Sequence, residues 1–344
     1  MSDIRYNILD DRHSIIAPER LHKPLSTIEL TNQKPLEDGR NCPFCDGNED
    51  KTTPEIDAIR ADSSRPNSPN WSVRVIPNLY RAVSIESENY VKHNGLFVAN
   101  EGFGAHEIVV DTPIHNNLMH KWSLEEYSRW IEIIQKRIRD LQIDQRLISL
   151  SIFKNQGARA GASQPHPHTQ IIALPIVPTK LHYQFMRFLN HYQTTKRILI
   201  EDIIVQEYND NIRIVIENED FVAFCPYASE FPFEVMIVSK EGLSRLENIS
   251  NKERDNLVEI LKYINSSLHS ILGDFSFNVV LSTPPLHHTT QTAPYFDKID
   301  DISRLYVKVI PRIYQHAGFE ISTDIMINPI SPEDASKQLR SYAK

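Results

Sequence analysis

Glycine is scarce in this chain: 10 residues in 344, against 21 prolines. Neither G-x-G-x-x-G nor G-x-x-x-x-G-K-[ST] occurs, so dinucleotide-binding and P-loop architectures, which need glycine where backbone meets phosphate, are not expected. Cysteine is scarcer still. Cys42, Cys45 and Cys225 are too few for a disulfide framework, and the first two stand as a C-x-x-C, which in a reducing compartment points to metal or redox work. No apolar run approaches the ~20 residues needed to cross a bilayer. The opening MSDIRYNILDDRH is charged and lacks the apolar core of a signal peptide. A soluble, cytoplasmic protein without a membrane partner is the expectation. Basic runs are also missing, and 37 Lys and Arg against 45 Asp and Glu leave a formal net charge of −8. Duplex nucleic acid binds largely through neutralised phosphates, so no nucleic-acid partner is expected. Isolated basic residues could still hold one small phosphorylated ligand. The length and a hydrophobic share of 40% leave room for two domains, each with its own core.

Two stretches of the chain follow the same order. HEIVVD from His106 alternates like a strand, and the S-L-E-E at Ser123 sets Glu126 three residues on, a capping box. The helix it opens carries Leu124, Tyr127, Trp130, Ile131, Ile134 and Ile138 at helical spacing. LISLSIF and IIALP follow as strands. FEVMIVS from Phe233, a second capping box at Ser250 and Glu253, a helix with Leu257, Ile260, Leu261, Ile264 and Leu268, and the strands FSFNVVLS and RLYVKVIP repeat the series. His106 and Phe233, Ser123 and Ser250, Glu126 and Glu253 are each 127 residues apart. A shared offset across strand, cap and capping-box acid reads as an internal duplication, with coincidental spacing as the alternative. The connections suit antiparallel sheets, so two α+β domains are expected, residues 1–200 and 201–344. The boundary falls between a helical stretch near Leu181–Ile200 and a strand pair, IIVQEYND and NIRIVIEN.

Two clusters carry chemistry. Cys42-Pro43-Phe44-Cys45 looks like half of a tetrahedral zinc site, with two further ligands to come from Asp, Glu or His. A redox pair is the alternative, without the βαβ context that would favour it. His166, His168 and Gln170, in HPHTQ, alternate so as to share one strand face, and such polar groups need a metal, phosphate or water partner. The preceding Gly157–Ser163 loop could offer backbone N–H groups to a phosphate. The plainer reading is a solvated strand end; Asn155, the loop and the distant C-x-x-C weigh against it.

The segment from Phe153 to Pro175, FKNQGARAGASQPHPHTQIIALP, carries F-x-N-x-G-x-x-x-G-x-S-x-x-H-P-H-x-Q complete. In this it resembles the active-site segment of galactose-1-phosphate uridylyltransferases, in the histidine-triad superfamily. The resemblance extends to IIAPERLHKP, CPFC, VIPNLY, FVAFCPYASEFPFE and AGFEISTD. It implies two histidine-triad-like α+β domains, the second degenerate, and a homodimer. It implies that His168 is the nucleophile that forms a nucleotidyl-histidine, and that Gln170 holds a phosphoryl oxygen. Asn155, Ser163 and Arg20 would bind phosphates, Asn78 the nucleotide, and Glu320 the sugar. Cys42, Cys45, His115 and His166 would bind one structural zinc. Lys23 stands where relatives carry a second arginine, replacing a fork by a point charge. A second metal site of some relatives reads here as Ser282, Tyr306 and Lys308, so no second metal is expected.

The function implied is transfer of a uridylyl group between UDP-glucose and a hexose 1-phosphate such as galactose 1-phosphate. An ADP-sugar phosphorylase with the same nucleophile is the runner-up, and a non-catalytic, zinc-stapled nucleotide-binding protein the third reading.

Overall fold

The computed structural model describes residues 2–22, 39 and 41–343. The chain opens with a hairpin, β1 (Asp3–Asn7) and β2 (Arg12–Ile16). Beyond Cys45 come β3 (Asp57–Arg60), β4 (Trp71–Pro77), an exposed two-stranded ribbon of β5 (Val91–Asn94) and β6 (Phe97–Asn100), and β7 (Ala105–Val110). Helix α1 (Leu124–Leu141) leads to β8 (Ser149–Gln156) and β9 (His168–Leu174). Helices α2 (Thr179–Thr195) and α3 (Leu199–Asp210) then precede β10 (Ile214–Glu217), β11 (Phe221–Phe224) and β12 (Val235–Ser239). The last stretch comprises α4 (Asn251–Leu272), β13 (Phe277–Leu281), α5 (Ile299–Ile302), β14 (Tyr306–Pro311), α6 (Gly318–Thr323), β15 (Met326–Asn328) and α7 (Pro332–Arg340).

The architecture is α+β. Ten strands form one sheet in the order β10-β11-β12-β14-β13-β8-β9-β7-β4-β3, with every neighbour antiparallel. Read outward from its centre, the order is the same in both directions, β8-β9-β7-β4-β3 and β13-β14-β12-β11-β10. The repeat legible in the sequence thus becomes two five-stranded halves joined edge to edge through β8 and β13, with Asn155 opposite Asn278. Both capping boxes form: Ser123 accepts from the Glu126 N–H and Ser250 from the Glu253 N–H, each glutamate reaching back to its cap.

Helices α1 and α4 cover one face of the sheet. Trp130, Ile131, Ile134 and Ile138 of the first, and Leu257, Leu261, Ile264 and Leu268 of the second, join Ile152, Ile171, Val279 and Val307 in one core. Each such side chain contributes at most about 1.5–3 kcal/mol by leaving water. Among the described residues, apolar clusters cover the opposite face at its two ends. Helices α2, α3 and α5 pack on Val222, Phe224, Met236, Val238 and Tyr306. At the other end Phe44 and Trp71 pack on Ile76, Ile108 and Val110. Between these clusters, among the described residues, runs a strip without such apolar cover.

One expectation is corrected. Residues 203–210, IIVQEYND, belong to helix α3 and not to a strand. The buried residues Leu199, Ile200, Ile204 and Glu207 recur at helical and not alternate spacing, while Val205 faces outward. No helix among the described residues is long and apolar enough to cross a membrane.

Candidate active site and metal cluster

This strip is where the central strands carry Asn155, His168, Gln170 and Asn278. Residues directly opposite on antiparallel strands share a face. Gln170 stands opposite Phe153 and Ile108, and His168 opposite Val110. Thr169, between them, turns the other way and accepts a hydrogen bond of 2.9 Å from the Trp130 indole of α1. His168 and Gln170 therefore face the strip, at the end nearest Phe44, whose ring centroid is 5.7 Å from that of His168.

His168 is 4% exposed, and its Nδ1 lies 2.8 Å from the His166 carbonyl oxygen. A carbonyl can only accept, so Nδ1 carries the proton and Nε2 keeps its lone pair. Burial lowers the pKa of the ring against the opposing pull of that carbonyl, which keeps the imidazole neutral. Gln170 is oriented by a residue that the sequence marked only as the start of a strand. His106 Nδ1 accepts from the Ala82 N–H at 3.1 Å, so its Nε2 donates to Gln170 Oε1 at 2.9 Å. The Gln170 amide N–H groups are thereby left for the strip. The Asn78 amide nitrogen lies 3.0 Å from the same His106 Nε2.

Beneath β9 sits a buried ion pair that no motif revealed. Lys154 Nζ and Asp111 Oδ2 are 2.6 Å apart, both side chains fully enclosed, and Nζ also lies 3.4 Å from the His168 carbonyl oxygen. Asn155 Oδ1 accepts from Asn278 Nδ2 at 2.8 Å, and the same Nδ2 donates to the Ala160 carbonyl at 2.9 Å, tying the glycine loop to the second half. The loop fits tightly: a Cβ at Gly157, whose φ is +81°, would fall 2.3 Å from Ser276 Oγ. Expected to offer several N–H groups to an anion, the loop uses those of Ala160, Gly161 and Ala162 on its own carbonyls. Anion contacts therefore fall mainly to side chains.

The remaining expected residues are dispersed. Ser163 is exposed at the end of the glycine loop. Arg20 lies in the short turn Pro18–His22, its Nε enclosed and without a hydrogen-bond partner among the described residues. Glu320 is 5% exposed and accepts from the Ala317 N–H at 2.9 Å, capping α6. Lys23 lies outside the described residues.

Cys42, Cys45, His115 and His166 come together although the chain separates them widely, and their ligand atoms all lie within 4.8 Å of one another. His166 Nδ1 is 3.6 Å from both sulfurs, and His115 Nδ1 is 3.4 Å from Cys45 Sγ. The His166 Nε2–H donates to the Thr112 carbonyl at 2.7 Å, which leaves Nδ1 as the free lone pair. His166 stands two residues before His168, outside the strand ladder. Burial lowers its pKa to about 4, so it stays neutral as a ligand must. Burial and the neighbouring Cys42 push the Cys45 thiol up to about 12, a bias that a divalent cation reverses. A Cβ at Gly39 would sit 3.0 Å from His115 and 3.3 Å from Cys45 Sγ, so that turn is cut to the cluster. The residues fit one four-coordinate metal.

Two other groupings do not fit one. His120 and His269 stack in parallel with ring centroids 3.6 Å apart, so their in-plane lone pairs do not converge on a single ion. At the positions where no second metal is expected, Lys308 binds Asp10 at 2.9 Å and the Tyr306 hydroxyl donates to Gln184 at 3.1 Å. Ser282 Oγ accepts from the Tyr306 N–H at 2.8 Å. An ammonium ion there displaces a metal instead of binding one.

Comparisons with known proteins agree across the chain. The family models for the N-terminal and C-terminal domains of galactose-1-phosphate uridyl transferase match residues 1–178 and 182–310. An ADP-glucose phosphorylase of Arabidopsis thaliana is 28% identical over 99% of this chain and 93% of its own length. A galactose-1-phosphate uridylyltransferase of Thermotoga maritima is 25% identical over 99% and 98%. The crystal structure of an Arabidopsis thaliana ADP-glucose phosphorylase with bound ADP-glucose superposes with a TM-score of 0.79 at 27% identity, covering 99% of each chain. The chain belongs to the galactose-1-phosphate uridyl transferase family.

Proposed function

We propose that this protein transfers a nucleotidyl group through His168, moving uridylyl between UDP-glucose and a hexose 1-phosphate such as galactose 1-phosphate. The observation that carries the reading is the His168 imidazole, neutral, anchored through Nδ1 and keeping the Nε2 lone pair beside an oriented Gln170. In the first step the Nε2 lone pair forms a bond to the α-phosphorus, and the bond to the bridging oxygen breaks. The electron pair leaves with the sugar 1-phosphate. In the second step a phosphate oxygen of the acceptor attacks the same phosphorus and the pair returns to Nε2. No proton moves: Nδ1–H stays on the His166 carbonyl, which stabilises the positive charge on the ring. Gln170 supplies amide hydrogens to a phosphoryl oxygen and has no proton to give water, which favours transfer over hydrolysis. Asn155, Ser163, Arg20 and Lys23 are the phosphate-binding residues of this reading, with Asn78 toward the nucleotide and Glu320 toward the sugar. Residues 1–200 form the catalytic unit and 201–344 its degenerate partner.

Zinc is the metal we assign to Cys42, Cys45, His115 and His166. Two thiolates and two imidazoles make a closed site that stabilises and leaves no position for substrate. A cytoplasmic homodimer completes the reading. Its support is the family resemblance and the exposed side chains of Tyr80, Leu96 and Phe97, which self-association would bury.

Adenylyl transfer from ADP-glucose to phosphate is the second reading, favoured by the full-length likeness to the ADP-glucose phosphorylase. One experiment separates the two: incubation with UDP-glucose or ADP-glucose labelled in the α-phosphate, followed by mapping of acid-labile, base-stable label. Label on His168 from UDP-glucose supports uridylyl transfer, and label from ADP-glucose alone supports the second reading. Absence of label from both, with full turnover in His168→Asn, refutes the nucleophile.

A further inference from the structure

We propose that Arg312, which the second half contributes, is a phosphate-binding residue of the cleft. It would hold the phosphate monoester that leaves or enters during nucleotidyl transfer, and so rests on that reading. Arg312 follows β14, and its main-chain N–H donates to the Ser276 carbonyl at 2.7 Å, extending the β13–β14 ladder by one residue. Alternation then places it with Lys308 and Ile310, on the face that also carries Asn278, Asn155 and His168. Its NH1 donates to Asn278 Oδ1 at 3.3 Å, and Asn278 in turn donates to Asn155. The guanidinium therefore ends a line of side chains that begins on the strand beside His168.

Among the described residues the group has no counter-ion. Arg74, Arg137, Arg213, Arg245 and Arg304, the buried arginines among the described residues, each pair with a carboxylate, whereas Arg312 is half-buried. Arg312 forms no ion pair among the described residues. Its Nε is enclosed without a hydrogen-bond partner, and its Cζ lies 5.0 Å from the centroid of the Phe231 ring. Burial lowers its pKa and no acid offsets the loss. Taking a cation partly out of water without a partner is costly, and a ligand that brings the missing anion removes that cost. Arginine suits a phosphate because its planar fork matches two oxygens at once. The glycine loop has already used the N–H groups of Ala160, Gly161 and Ala162 on its own carbonyls, so the cleft gains from such a side chain. In this arrangement each half supplies one part of the reaction: the first attacks the α-phosphorus and the second holds the other phosphate.

Glucose 1-phosphate, inorganic phosphate and UMP, each titrated calorimetrically into the metal-loaded full chain, test this without any turnover. Arg312→Gln is expected to weaken glucose 1-phosphate and inorganic phosphate about tenfold or more and to leave UMP unchanged. Arg312→Lys, a point charge in place of a fork, is expected to fall between the two. Unchanged affinity for both phosphate probes in Arg312→Gln overturns the proposal. So does weakening of glucose 1-phosphate alone, which would make Arg312 a sugar contact, or equal weakening of UMP, which would make it a structural residue. Thermal midpoint and metal content establish that both variants fold. Absence of label on His168 in the wild-type protein refutes the parent reading instead, and that result does not involve Arg312.

Discussion

Replacing Asp111 by alanine leaves the Lys154 ammonium enclosed beneath the nucleophile strand without its partner. The wild-type pair is 2.6 Å apart with neither side chain exposed, and the other hydrogen-bond acceptor of Nζ among the described residues is the His168 carbonyl at 3.4 Å. The Trp122 ring, 5.4 Å from Nζ, adds only a modest cation–π attraction. Breaking a buried pair by removing one member typically costs about 3–5 kcal/mol, because the surviving charge must stay desolvated or lose its proton. Asp111→Ala should therefore lower the unfolding free energy obtained from urea titration by an amount in that range, read through the fluorescence of Trp122 and Trp130, both buried nearby. Burial already lowers the pKa of Lys154 against the pull of Asp111, and without the carboxylate the ammonium loses its main support. The unfolded chain then holds a proton that the folded one gives up, so the stability of Asp111→Ala should rise with pH, with a steeper slope than wild type. Asp111→Leu combined with Lys154→Met removes both charges, and it should recover most of the loss. A cost below about 1 kcal/mol in Asp111→Ala, or a double variant no better than the single one, would refute the reasoning.

Cys42→Ser should reduce bound metal from about one per chain to a small fraction, measured by elemental analysis, and lower the thermal midpoint. Turnover should fall too, since His166 is both a ligand and the source of the carbonyl that orients His168. His106→Ala should lower kcat/KM by roughly 2- to 12-fold, the worth of one neutral hydrogen bond, and have little further effect in Gln170→Ala. Additive losses across that cycle would show that His106 does not act through Gln170. Burial alone would raise the pKa of Asp10, but Lys308 and Lys180 pull it down to about 2. A depressed carboxyl stabilises the fold above its unfolded pKa near 4 and loses that contribution as pH falls toward 2. Acid unfolding should therefore cost about 2 kcal/mol less in Asp10→Asn than in wild type across that window.

What the sequence determined by itself is the local and the repeated. Both capping boxes are written in four-residue strings, and the structure forms each one where the string stands, because a cap needs only its own turn. The shared offset of 127 residues became two like halves of one sheet, since each copy carries its own alternation and its own amphipathic helix. The C-x-x-C and H-P-H were visible as half-sites. Tertiary structure decided what these fragments meet. His115 and Thr112 reach the cysteine cluster only because β7 pairs with β9, and His106 reaches Gln170 through the same pairing. The partners of Lys154, Asn155 and Arg312 are likewise set by strand register, which joins residues tens to more than a hundred positions apart. Residues 203–210 show the same limit from the other side. Their β-branched composition suits a strand, but the sheet needs cover at that end, and burying one stripe of them there as a helix prevailed over local preference.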